Sequence, residues 1–169
     1  MHAYFANFAR YNAWANARLY DAAACLTEAQ FREDLGAFFR SVQGTLNHLL
    51  VTDRIWMQRM TGTGAAPYRL DEILFEELAP LRTAREAEDD RIVEYVTGLS
   101  ESDLAGSISY RRVSTPELFA QPIISVLAHF FNHQTHHRGQ VHTLLTSLTG
   151  QAPELDLLFF QRQEGWALK

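Results

Sequence analysis

From Pro122 to Leu148 the chain keeps a helical pattern of side chains without interruption, until Thr149, Gly150 and Pro153 close it. At 1.5 Å per residue the segment is a rod of roughly 40 Å, and its apolar face needs other long helices to cover it. Residues 2–24 supply one, with Phe5, Phe8, Ala9, Leu19 and Tyr20 at helical spacing and neither proline nor glycine. Ser41 opens a second, in which Val42, Thr45, Leu46, Leu49, Ile55 and Trp56 recur at three-to-four-residue intervals until Thr61-Gly62-Thr63-Gly64 ends it. Leu81 to Gly98 supplies a third, apolar at Ile92, Val93 and Val96 and charged at Arg82, Arg85, Glu86 and Asp89, as a half-exposed helix would be.

The pieces between them are short of periodic cues. Thr27 with Gln30 three residues on has the form of a capping box and predicts a short helical piece over residues 27–35. Gly64 to Pro80 contains Pro67 and reads as a connection covering one side of the helices. Ser107 to Val113 alternates apolar and polar residues before Pro116, which predicts a short hairpin or an extended crossover. Leu155-Asp156-Leu157-Leu158-Phe159-Phe160 is too apolar to stay in water and should dock on the helices or on another subunit. The expected fold is all-α, a four-helix bundle with a short extended or hairpin crossover before the last helix, in a single domain over residues 1–169.

Composition narrows the classes of function. No apolar stretch approaches the roughly 20 residues of a membrane span. The start Met1-His2-Ala3-Tyr4-Phe5 has neither the basic region nor the apolar run of a secretory signal, so a cytoplasmic protein is expected. A formal charge of −5 with a pI near 5.8 argues against nucleic-acid binding, and Arg111-Arg112 is the one close basic pair away from helix faces. The single cysteine, Cys25, excludes an intramolecular disulfide and a multi-cysteine zinc site, and is expected as a small buried or half-buried side chain.

The histidines carry the chemistry. His129, His133, His136 and His137 fall within nine residues of the last helix. At about 100° per residue His129, His133 and His137 follow one another down a single face, bordered by Val126, Phe130, Val141 and Leu144, and should look inward, with His136 on the flank. Imidazoles four residues apart can converge on one ion, as His133 and His137 would. His48, in Thr45-Leu46-Asn47-His48-Leu49-Leu50, is the candidate for a third ligand from a facing helix. The plain alternative is a core histidine satisfied by one hydrogen bond, and spacing alone does not separate His129 from the set.

Three stretches resemble the DinB/YfiT-like family of bacterial metalloenzymes, whose name records damage inducibility and not polymerase activity: Arg10-Tyr11-Asn12-Ala13-Trp14-Ala15-Asn16, Gly44 to Leu50 with Asp53 and Trp56, and His129 to Gln140 with His142. The resemblance covers nearly the whole chain in the right order. It implies a four-helix fold, a stress-associated role, a homodimer, and a divalent metal ion held by His48, His133 and His137, with His129 outside the ligand set.

Three neutral histidines leave coordination positions open for water or substrate, as catalytic sites do. All-imidazole ligation suits zinc or nickel first, with iron or manganese as alternatives. Relatives in the wider superfamily activate a low-molecular-weight thiol, so thiol-dependent S-transfer is one expectation. Metal-assisted hydrolysis is a second, and a metal-binding stress protein without turnover a third. Asn47, Gln134, His136, Gln140 and Asp53 are candidates to orient ligands or move protons. Asp53 is more simply expected to pair with Arg54, Arg138 or an exposed charge. Trp14, Trp56, Tyr4 and Tyr11 are candidate pocket walls, with core packing as the plain alternative.

Overall fold

The structure is a computed structural model and describes residues 1–111 and 117–165. Arg112 and the stretch from Val113 to Pro116 lie outside the described residues. The chain is mostly helical, with a small two-stranded sheet. Four long helices, α1 (His2–Ala23), α3 (Val42–Thr61), α4 (Leu78–Gly98) and α6 (Ile123–Thr149), are accompanied by short α2 (Glu28–Arg32), α5 (Glu101–Leu104) and α7 (Leu157–Gln163). Strands β1 (Ser107–Arg111) and β2 (Leu118–Pro122) pair antiparallel, with Ser109 opposite Ala120. No helix among the described residues is long and apolar enough to cross a membrane.

Local chemistry sets the ends. Thr27 and Gln30 form the expected capping box on α2, Ser41 caps α3 by accepting from the Gly44 N–H, and Gly62 and Gly150 end α3 and α6 in the left-handed conformation. Helix α4 starts three residues earlier than expected. Pro80 sits in its first turn, where a missing N–H breaks no hydrogen bond. A further capping box at Ser100 and Asp103 starts α5.

The long helices touch in a closed cycle, α1 against α4 and α6, and α3 against α4 and α6. Two apolar clusters fill the space between them. One gathers Leu19, Leu46, Leu50, Leu81, Val141 and Leu145; the other gathers Phe5, Ala9, Met57, Ile92, Leu127 and Phe130. The order in which each helix meets the clusters shows that α1 and α6 run one way and α3 and α4 the other. Because α3 and α4 are parallel, residues 62–77 must travel back along the helices, and this return brings Leu70 to His48.

The C-terminal segment docks on α1. Phe160 is buried against Tyr11 and Trp14, and the Tyr11 hydroxyl donates to the Leu155 carbonyl at 2.7 Å. Cys25 is exposed, against expectation, directly after the C-cap of α1.

Candidate metal centre

Helix α3 begins with an unusually close turn. Ala37 and Arg40 form an isolated bridge, and Arg40 takes a left-handed φ of 68°. Gly44 admits this turn, since a methyl group there would collide with the Phe39 carbonyl oxygen. The approach lays the Phe39 ring over His48, with centroids 3.7 Å apart.

His48 is buried and faces α6. Its Nδ1–H donates to the Leu70 carbonyl at 2.7 Å, which leaves the Nε2 lone pair free, 3.4 Å from His133 Nε2. His137, also buried, donates from Nδ1 to the Gln140 side-chain oxygen at 2.8 Å, so its Nε2 is free as well. The Gln140 amide is oriented in turn by donating to His136 Nε2 at 3.2 Å. The rings of His133 and His137, and of His48 and His137, have centroids 4.4 Å apart.

One ring nitrogen from each of His48, His133 and His137 lies within 4.8 Å of the others. Burial drives their proton affinity down: His48 falls to about 4, His133 to about 3 with the neighbouring rings adding to the effect, and His137 below its ordinary value. All three are therefore neutral near pH 7, the form in which imidazole ligates. The Nε2 lone pairs of His48 and His137, with a His133 ring nitrogen beside them and no carboxylate in the cluster, fit a divalent cation, and the Nδ1 hydrogen bonds of His48 and His137 are the usual support of such ligands. Two buried histidines and one half-buried one could thus hold a metal ion.

His129 differs from its inward expectation. It is exposed near the start of α6, edge-on to Trp56 at 5.3 Å and 5.9 Å from His133 between centroids, outside the cluster. His48, His133 and His129 line a cleft of about 730 Å³. Two connections also line it, residues 62–77 through Leu70 and Asp71 and the hairpin through Tyr110 and Phe119. Of the candidate aromatic walls, Trp56 lines the cleft, whereas Tyr11 and Trp14 pack under α7 and Tyr4 is exposed.

Asp53 has a different partner from those expected. It is buried and pairs with Arg85 at 2.7 Å, while Gln134 donates to its other oxygen. Arg85 also pairs with Asp89 at 3.0 Å, and Asn12 and Asn16 donate to Asp89. Arg138 donates to Asn12 and lies over the Tyr11 ring. Burial raises Asp53 to about 7 against the pull of Arg85. Arg85 and Asp89, which the helical pattern put on an exposed face, are instead interior, and the group forms a polar layer between the two apolar clusters. Asn47 binds Phe75 in both directions at 3.0 Å, fixing the crossover and not a ligand.

Phe39, the Leu70 carbonyl and Arg85 carry no motif in the sequence. The one legible signal is Gly44 in the first turn of a helix, where glycine marks a close backbone approach.

A family model described as DinB family matches residues 1–167. Protein DinB of Bacillus subtilis (strain 168) is 23% identical over 141 residues, which is 80% of this chain and 80% of that protein. The match spans all four long helices and the three clustered histidines, and the chain belongs to the DinB family.

Proposed function

We propose that this protein holds one divalent metal ion on the Nε2 atoms of His48, His133 and His137, and uses it on a small molecule in the adjoining cleft, thiol-dependent S-transfer being the best-supported reaction. The convergence of three neutral imidazole nitrogens within 4.8 Å carries the proposal. All-nitrogen donors favour zinc or nickel over iron or manganese. When bound, the ion supplies Lewis acidity, which lowers the pKa of a thiol or water at its open positions.

The carboxylates near the site favour a thiol over a water nucleophile. Asp71 is the carboxylate among the described residues that lines the cleft, and both its oxygens are engaged by Arg69, at 3.0 and 2.9 Å. Asp53 is engaged by Arg85 and Gln134. Neither carboxylate is free to deprotonate a water, which leaves His129 in the same cleft as the base for a hydrolytic reaction, whereas a thiol acidified by a metal needs none. The cleft has room for a small organic thiol beside His48 and His133.

The closed cycle of helix contacts supports a single four-helix-bundle domain of the DinB/YfiT-like type. A homodimer in the cytoplasm belongs to the same proposal.

The test is metal content by plasma mass spectrometry on untagged protein and on His48→Ala, His133→Ala and His137→Ala. Near one ion per chain, lost in each variant, is the expected result. Wild-type protein that stays metal-free after incubation with zinc, nickel, iron and manganese salts would leave the histidines as core residues.

A further inference from the structure

The cleft holds a second recognition group at a distance from the histidines. We propose that Arg59 binds a carboxylate at the far end of the ligand, so that the molecule taken up is a small acid whose opposite end reaches the His48–His133–His137 centre. The inference rests on the metal proposal and adds the chemical class of the ligand.

Arg59 and His48 both line the cleft from α3. Their Cα atoms are three turns apart, roughly 16 Å along the axis, and a helical side chain leans toward the N-terminus. Arg59 therefore reaches back toward the histidines, and the gap left is the length of a small organic molecule. Ile55 and Trp56 make the wall between them apolar, with Phe119 also lining the cleft. Such a wall suits a hydrocarbon segment and not a chain of charges.

Arg59 is a half-buried cation without an acid. No carboxylate among the described residues pairs with it, and residues 112–116 contain no acidic side chain. The other arginine of the cleft, Arg69, is already neutralised by Asp71. One Arg59 N–H donates to the Arg111 carbonyl at 3.0 Å. The guanidinium carbon lies 4.6 Å from the Trp56 ring centre and 4.7 Å from that of Tyr110. These contacts fix the group while leaving N–H donors of its fork available, the geometry that carboxylates accept in pairs. Burial lowers the proton affinity of Arg59, as expected of a charge withdrawn from water without a counter-ion. One uncompensated cation matches one negative charge, so a carboxylate fits better than a phosphate monoester.

The test uses cobalt(II)-loaded full-length protein titrated with 6-mercaptohexanoate and, separately, 6-mercaptohexanol, following the thiolate-to-cobalt absorption. The two probes share the metal-binding end and differ in the distal group. The acid is expected to bind about ten-fold tighter or better than the alcohol, a charge-assisted pair of hydrogen bonds being worth at least that. In Arg59→Gln the preference should fall to near unity with alcohol affinity unchanged, and Arg59→Lys should recover part of it. Equal affinities in the wild type, or a preference that survives in Arg59→Gln, would overturn the assignment of Arg59 while leaving the metal centre intact. Failure to take up cobalt would overturn the metal proposal and this one with it. The wild-type comparison needs no variant, so a poorly folding substitution does not weaken it.

Discussion

Two imidazoles of the centre have their rings set by different neighbours. His48 is fixed by a backbone carbonyl of the crossover, His137 by an amide that His136 orients, and Phe39 stacks on the first. Their burial has a consequence for stability. Between its ordinary value of 6.5 and the depressed values of about 4 for His48 and about 3 for His133, the unfolded chain takes up protons that the folded chain refuses. The stability these rings provide is thus present above pH 6.5 and is lost as pH falls. Asp53, raised to about 7, has the opposite sign and loses stability as pH rises from 3.8 toward that value. The informative quantity is therefore a difference: metal-free wild type should lose more thermal stability between about pH 6.5 and about pH 4 than a His48→Gln/His133→Gln variant. Parallel melting-temperature profiles for the two proteins would contradict this.

At the scale of elements, the first turn of α3 governs what covers the histidines. Gly44→Ala places a methyl group against the Phe39 carbonyl, so residues 37–41 must move away and uncover His48. Overpacking of this kind costs about 1–3 kcal/mol, to be read from the denaturant midpoint, together with weaker metal binding in a chelator competition. The helices themselves were legible, because periodicity, the Thr27 and Ser41 caps and the glycines at 62 and 150 act within a few residues. The same holds for the pairing of His133 with His137, since helical spacing alone puts them together. Strand β2 was not, because Leu118-Phe119-Ala120-Gln121-Pro122 has no alternation of its own and is a strand only through pairing with β1. Arg85 and Asp89 were also misplaced by pattern. A charged residue four positions from another looks solvated on a helical wheel, and only the facing Asp53, Asn12 and Asn16 make it interior.

Across the whole molecule, the polar layer of Asp53, Arg85, Asp89 and Arg138 joins all four long helices midway between two apolar halves. Arg85→Met leaves two carboxylates buried without their shared cation, and removal of one partner from a buried ionic group costs about 3–5 kcal/mol. Equilibrium urea unfolding measures it, and a loss under about 1 kcal/mol would mean that water already screens the pair. The layer also touches α6 at Gln134 and Arg138, the residues that directly follow His133 and His137. His133 and His137 are thus each followed by a residue held in the layer, so the helix cannot roll about its axis without breaking it. None of the layer's contacts involves the proposed ligand nitrogens, so the layer would hold the site's shape with or without an ion. An ion could then be loaded, withdrawn or exchanged for another on a finished scaffold, with supply in the cell and not the act of folding deciding which one is carried.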